Sequence, residues 1–260
     1  MDLGLAGTVA LVTGARGNIG AATCAALHRE GVTVIATDVG VSDADRAAGG
    51  YEWLPLDVTS AADWAGVIAG IEARHGRLDI LVNNAGVAPT DRIDRMPAED
   101  FRRAFDINVT GVFLGTQAAA ALMARSGALR EGGAALINIA SGAADKPAAF
   151  SSCYCATKAA VRMFTRATAV EFSALGFPIR VNSVHPGAVE SDMMDSVFAR
   201  YVELTGAPLE DLIANVTKMH PMGRLVKPDE VADAVVFLAS RGARYSHAAA
   251  LHVDGGNANS

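Results

Sequence analysis

Seven short apolar runs recur along this chain, and a longer segment of helical character separates most neighbouring pairs. The runs cover 9–13, 32–37, 51–57, 78–83, 134–140, 179–184 and 249–254. They are rich in Val, Ile, Leu and Ala and lack the strict polar alternation of a strand with one wet face. Strands of that kind are covered by helices on both sides. Apolar residues at helical spacing predict those helices over 19–30, 60–75, 98–125, 152–175 and 229–240. Strand and helix in alternation imply right-handed crossovers, hence an α/β fold with a doubly wound, mostly parallel sheet.

The chain has 260 residues, enough for one large domain over 1–260 and too few for a second full one. Half of it is apolar (51%) and only 19% charged, so a well-buried core is expected and disorder is not. The net charge of -6 gives no attraction to a nucleic-acid backbone or an anionic membrane. Cys24, Cys153 and Cys155 are an odd set without metal or redox spacing, which argues for a reducing, cytoplasmic setting. Residues 1–7 carry no basic segment followed by an apolar stretch, so they do not read as a signal peptide. No run approaches the ~18 to 20 apolar residues of a membrane span.

One stretch breaks the rhythm. Between the sixth strand and the last helix, residues 188–227 form an insertion too long for a bare loop in a compact domain. Met193, Met194, Val197, Phe198, Tyr201 and Val202 recur there at helical spacing. They predict a short helix with an apolar face, as core packing or as a lid over a substrate pocket.

After the first strand comes Thr13-Gly14-Ala15-Arg16-Gly17-Asn18-Ile19-Gly20, opening directly into a helix. Glycines there let the backbone turn tightly and approach a pyrophosphate, which sits on the free N–H groups of the helix start. This is the Rossmann-type arrangement, and the second strand ends soon after in Asp38. A carboxylate at that point accepts both adenosine ribose hydroxyls and repels the additional phosphate of NADP. NAD is therefore expected, with Arg16 as the residue that argues for NADP.

Tyr154 and Lys158 lie at i and i+4, on one face of a predicted helix. A phenol titrates near ~10 and is a poor base at neutral pH; a neighbouring ammonium and the positive charge of an oxidised nicotinamide both favour the phenolate. Ser141, at the end of the fifth strand, is placed to bond the same substrate oxygen.

At these residues the chain resembles the classical short-chain dehydrogenase/reductase family, from about Leu5 to Gly256. The glycine loop, Asn83-Asn84-Ala85-Gly86, Asn108, Ser141, Tyr154, Lys158, Pro186-Gly187 and Val253-Asp254-Gly255-Gly256 follow the family's order and spacing. The resemblance implies hydride transfer between a nicotinamide and an alcohol or carbonyl carbon. It implies Tyr154 as acid and base, Ser141 as the group that orients the oxygen, and Lys158 as holder of the nicotinamide ribose. Asn108 would position a water that carries the proton on to solvent. Gly14, Asn18, Ile19 and Gly20 would meet the pyrophosphate, and Asp57 and Val58 the adenine. Asn84, Ala85 and Gly86 would flank the ribose, and Pro186, Gly187, Val189 and Ser191 the carboxamide.

No metal is called for: the six histidines show no ligand-like spacing, and His185 reads as a structural residue near the cofactor. Two positions depart from the pattern. Asn18 stands at a glycine position, where its tolerance of left-handed backbone would preserve the turn; Ser191 replaces a threonine. The helix 152–175, with Val161, Phe164, Ala167 and Val170, would pack on a second copy in a dimer or tetramer.

The expected pocket wall is apolar: Ala143, Ala144, Phe150, Met193, Met194 and Phe198. Only Arg92 and Arg95 offer themselves to a carboxylate. A neutral, fairly hydrophobic secondary alcohol or ketone follows, such as a cyclic alcohol, hydroxysteroid or terpenoid, with sugars and polyols still open. The rivals are an NADPH-dependent carbonyl reductase and a dinucleotide-binding protein without catalysis.

Overall fold

The computed structural model describes residues 3–47 and 50–259; residues 1 and 2 of the N-terminal stretch read above lie outside it. Among the described residues, seven strands form one parallel sheet: β1 (Val9–Thr13), β2 (Thr33–Asp38), β3 (Glu52–Pro55), β4 (Ile80–Asn83), β5 (Ala134–Ile139), β6 (Ile179–Pro186) and β7 (Ala250–Val253). Their order is β3-β2-β1-β4-β5-β6-β7. The chain therefore winds outward in one direction from β1 and in the other from β4. The helices after β1 and β4 depart to opposite faces, which opens a crevice between these strands' carboxyl ends.

Parallel strands need crossovers, and the crossovers here are α1 (Asn18–Arg29), α2 (Asp43–Ala47), α3 (Ala61–His75), α4 (Ala98–Phe105), α5 (Gly111–Gly127), α6 (Ser152–Ala174), α7 (Asp192–Thr205), α8 (Leu209–Lys218) and α9 (Pro228–Ala239). Successive side chains of a strand point to opposite faces, so β1 divides its residues between two cores. Ala10 and Val12 meet Leu27, Val235 and Leu238 under α1 and α9. Val9 and Leu11 meet Trp64, Met123 and Phe172 under α3, α5 and α6. Covering on both faces explains why the strand sequences show no polar alternation.

Three departures from the sequence reading bear on the site. The helix expected over 98–125 is interrupted by a π-helical turn, Asp106–Thr110, between α4 and α5. Such turns cluster at functional sites, and this one carries the buried Asn108. Strand β6 runs on to Pro186 because β7 pairs beside it, with His185 opposite His252 and Pro186 opposite Val253. The insertion contains a second helix, α8, that the sequence reading missed. Leu209, Leu212, Ile213 and Val216 recur there at helical spacing after Pro208, so a signal was present. By length and mean hydropathy (1.4) the continuous helical stretch Ala98–Gly127 could cross a bilayer. Its apolar residues Val112, Ala119, Leu122 and Met123 are instead buried in the fold.

Candidate active site

The turn after β1 is built around glycines that nothing larger can replace. Gly14 has φ +62°, and a Cβ on it would lie 2.8 Å from Ala85 Cα. A Cβ on Gly20 would lie 2.2 Å from the Gly14 carbonyl oxygen and 2.8 Å from Ala15 Cα. Helix α1 begins without a side-chain cap and without an acidic residue in its first turn. Its first N–H groups are thus left for an anion, as a dinucleotide cradle requires. Asn18 is not left-handed as expected: it opens α1, and Gly14 supplies the positive φ. Its side chain has another task, since Asn18 Oδ1 accepts a hydrogen bond from Asp192 N at the start of α7 (3.2 Å).

The loop after β4 is fastened to this turn. Thr13 Oγ1 accepts from the backbone N–H of both Asn84 and Ala85 (3.0 Å each), and Asn84 Nδ2 donates to the carbonyls of Thr13 and Gly14 (2.9 and 3.1 Å). Asn83 Nδ2 donates to Asn138 Oδ1, and Asn138 Nδ2 to Thr165 Oγ1 (2.9 Å each). This buried ladder ties β4 and β5 to α6. Sequence reading missed Thr13, Asn138 and Thr165, because their partners are distant in the chain.

At the end of β2, Asp38 Oδ2 accepts from Arg16 N (3.1 Å) and Oδ1 from Val39 N (2.9 Å). The Arg16 guanidinium donates to Gly40 O (2.9 Å) and lies 3.6 Å from Asp45. Two carboxylates and one guanidinium therefore share this rim. Asp57 and Val58 follow β3 along the same cleft.

The remaining polar groups converge from three elements. Lys158 is buried, and its Nζ donates to Ile139 O (2.9 Å) at the end of β5. Asn108 Oδ1 accepts from Val87 N (2.8 Å) while its Nδ2 donates to Val87 O and Thr157 Oγ1 (2.9 and 3.0 Å). Both side chains meet over Gly86, where a Cβ would stand 3.2 Å from Asn108 Oδ1 and 3.5 Å from Lys158 Nζ. Ser141 caps the turn after β5, its Oγ accepting from Ala143 N (3.1 Å). Burial pushes the Tyr154 phenol above its ordinary value, and the Ser141 hydroxyl pulls it back. Burial also brings Lys158 down to about 8. The i, i+4 spacing suggested that the ammonium would lower the phenol directly. In the chain alone desolvation is the larger effect, and Nζ stands 5.7 Å from the ring centroid.

The insertion closes the other side. Its two ends are zipped together: Glu190 N donates to Val226 O and Val226 N to Ala188 O (2.9 and 2.8 Å). His220, unnoticed in the sequence, accepts from Ala188 N through Nε2 (3.1 Å) and donates through Nδ1 to Val216 O (2.8 Å). Its ring fills the space beside Gly187, where a Cβ would come within 2.6 Å of Nε2. Ser191 caps α7 by accepting from Met194 N (3.2 Å). Helix α7 then spans the opening, with Arg200 on Asp91 (2.7 Å) and the Tyr201 hydroxyl donating to Ala149 O.

The cleft has a volume of about 1260 Å³. That exceeds the ~300–1,000 Å³ of an ordinary ligand site and leaves room for a dinucleotide and a second small molecule. It brings together three of the four expected catalytic residues, Ser141, Tyr154 and Lys158, while Asn108 lies behind Gly86. Every expected cofactor contact lines it. Of the expected substrate wall, Ala143, Met193, Met194 and Phe198 line it; Ala144 and Phe150 do not. Phe150 has φ +58° and turns its ring onto Tyr201 (centroids 5.6 Å apart), so Ala148 and Ala149 face the cleft in its place. Arg92 pairs with Asp94 outside, and neither it nor Arg95 reaches the wall.

A family model described as enoyl-(acyl carrier protein) reductase matches residues 14–258, cradle and converging side chains included. The chain belongs to the short-chain dehydrogenase/reductase family. It is 37% identical to a cyclopentanol dehydrogenase of Comamonas sp. (strain NCIMB 9872), covering 95% of this chain and 96% of that one. It is 34% identical to a 3-beta-hydroxysteroid dehydrogenase of Comamonas testosteroni, covering 96% and 95%. Among solved structures, an actinorhodin polyketide ketoreductase variant with NADPH superposes with a TM-score of 0.86 at 33% identity, covering 97% of this chain and 98% of that one. This family member is a nicotinamide-dependent oxidoreductase acting on CH–OH groups.

Proposed function

We propose that this enzyme is an NAD-dependent dehydrogenase of neutral, largely apolar secondary alcohols, with cyclic alcohols and hydroxysteroids as the substrate class. The observation that carries the reading is the make-up of the cleft: Ser141, Tyr154 and Lys158 line it together with Met193, Met194, Val197 and Phe198. An apolar ring is desolvated against the methionines while its hydroxyl reaches the polar residues. The names of the cyclopentanol and hydroxysteroid dehydrogenases point the same way.

In this reading Ser141 donates to the substrate oxygen and fixes its distance from Tyr154. Tyr154 takes the hydroxyl proton in oxidation and returns it in reduction. Lys158, held by Ile139 O, binds the nicotinamide ribose and stabilises the phenolate. Asn108 continues the proton path toward solvent through a water. A bound nicotinamide supplies the hydride acceptor, and its positive charge offsets the desolvation that raises the Tyr154 phenol. The cradle of Gly14, Asn18, Ile19 and Gly20 takes the pyrophosphate. Asp38 takes the adenosine ribose, Asp57 and Val58 flank the adenine, and Asn84, Ala85 and Gly86 line the ribose side. Pro186, Gly187, Val189 and Ser191 hold the carboxamide. Arg16 at the ribose rim favours the second reading, an NADPH-dependent carbonyl reductase.

Rates for cyclopentanol, cyclohexanol, a hydroxysteroid, a terpenoid alcohol, a hexitol and the matching ketones, each with NAD and NADP cofactors, test the proposal. Cyclic and steroid alcohols with NAD should give the highest kcat/KM; a hexitol outpacing all of them overturns the substrate class.

The three described cysteines are free thiols, in keeping with the cytoplasmic setting we infer. We also infer a homodimer or homotetramer through α6. Val161 is buried in the monomer and belongs to the stripe that the fold itself covers. Met163, Ala167 and Val170 do form an exposed strip, with Met163 62% and Val170 69% accessible, and Phe113 of α5 is also exposed. Light scattering at micromolar concentration should report two or four chains, and a monomer alone refutes the inference.

A further inference from the structure

Behind the catalytic serine, three elements bring together a donor set whose members are far apart in the chain. Asp145 follows the short turn that Ser141 caps. His185 and His252 face each other across the register of β6 and β7, with ring centroids 4.9 Å apart. Asp145 Oδ2 lies 3.3 Å from His185 Nδ1 and 3.2 Å from His252 Nε2, and one ligand atom from each residue falls within 4.8 Å of the others. The Ser141 carbonyl oxygen is 3.1 Å from His185 Nδ1.

We propose that Asp145, His185, His252 and the Ser141 carbonyl form a site for a divalent transition-metal ion, zinc first, and that its occupation restrains Ser141. Zinc bonds nitrogen and oxygen at about 2.0–2.2 Å, so neighbouring ligands of a tetrahedral ion stand about 3.3–3.6 Å apart. The three separations of 3.1–3.3 Å need open by only a few tenths of an ångström. Two imidazoles with a carboxylate, and no thiolate, suit zinc, cobalt or nickel better than magnesium or calcium.

The surroundings accept the change of tautomer that binding demands. In the metal-free chain the His185 Nδ1–H points at the Ser141 carbonyl, and Nε2 accepts from Ser183 Oγ (2.8 Å). With Nδ1 on a metal, the proton moves to Nε2 and is donated to Ser183 Oγ, whose own hydrogen turns to Ala249 O, now 3.4 Å away. Metal-bound histidines are held by such an outer partner. Arg162 holds the other Asp145 oxygen, Oδ1, and leaves Oδ2 for the ion. Its charge lowers the affinity for a cation. Entry is from the His252 side, since His185 is buried and His252 is about a quarter exposed. An ion here takes away the hydrogen bond that His185 gives the Ser141 carbonyl and holds that carbonyl itself. Ser141 is shifted from the geometry it needs for the substrate oxygen. The site stands without the proposed function; only its effect on turnover rests on it.

Cobalt(II) titration of the purified protein, followed by visible absorption and competed with zinc, tests the site. The expected result is saturable binding with the visible bands of a nitrogen–oxygen site and no near-ultraviolet sulfur charge-transfer band, which separates it from Cys24, Cys153 and Cys155. His252→Ala should weaken zinc by at least about 10-fold, the least that loss of even an outer partner typically costs, and leave metal-free turnover unchanged. His252→Cys should restore binding and add the sulfur band, a readout that survives if the alanine variant does not fold. Zinc should lower the wild-type kcat several-fold and spare His252→Ala. No saturable binding below millimolar metal, or equal binding in His252→Ala, overturns the site; full turnover with zinc bound overturns its link to Ser141.

Discussion

Replacing Tyr154 by phenylalanine should cut turnover by at least about 100-fold while cofactor affinity and thermal stability stay near those of the parent protein. The substitution removes one oxygen from a cleft wall and changes no backbone contact, so its cost falls on proton transfer. A positioned acid or base is typically worth about 10²–10⁴-fold. The environment sharpens the expectation, because burial raises the phenol in the free chain. The oxidation rate should therefore climb with pH in the parent enzyme as the phenolate forms, and the reduction rate should fall. The variant should lose both slopes. Stopped-flow turnover of one alcohol and one ketone across pH decides this. Residual turnover above about a tenth of the parent's removes Tyr154 from the role.

The second large effect concerns the choice of dinucleotide. Asp38 ends β2 with both carboxylate oxygens turned to backbone N–H groups at the rim, and each keeps lone pairs for a ribose hydroxyl. A 2′-phosphate placed there sets like charges within a few ångströms and loses the ribose hydrogen bonds. Together these should cost about 2–4 kcal/mol, given that charged hydrogen bonds are worth about 1.5–3. With ~1.4 kcal/mol to each factor of ten, NAD should be preferred by roughly 30- to 1000-fold in kcat/KM. Arg16 is the opposing charge, but Gly40 O and Asp45 already engage its guanidinium, so the rim stays net acidic. Asp38→Ala should weaken NAD and narrow the gap between the cofactors. A parent enzyme that prefers NADP, or an alanine variant that keeps the full NAD preference, would show that Asp38 is not the selector and turn attention to Arg16.

What the sequence determined by itself was whatever depends on neighbours in the chain. Strand and helix alternation specifies the doubly wound sheet, because an apolar run without polar alternation must be covered on both faces. The glycine turn is legible for the same reason: Gly14 needs a positive φ and Gly20 crowds the Gly14 carbonyl within a few residues, although the close approach of Gly14 to Ala85 belongs to the folded sheet. The spacing of Tyr154 and Lys158 is a local helical fact, and the apolar stripe of α7 is another.

The tertiary structure alone decided what depends on meeting partners. Thr13 and Asn138 work through residues brought to them by sheet pairing and, for Asn138, also by the packing of α6 on the sheet. His220 reaches the Gly187 loop only because the insertion folds back on its own beginning. Phe150 looks like pocket wall in the sequence, yet a positive φ set by its loop turns the ring away. Asn18 was legible as a departure, but its bond to α7 was not, since Asp192 is remote along the chain. The Asp145–His185–His252 cluster escaped any spacing rule for the same cause: register between β6 and β7 sets its geometry, and register is a property of the assembled sheet.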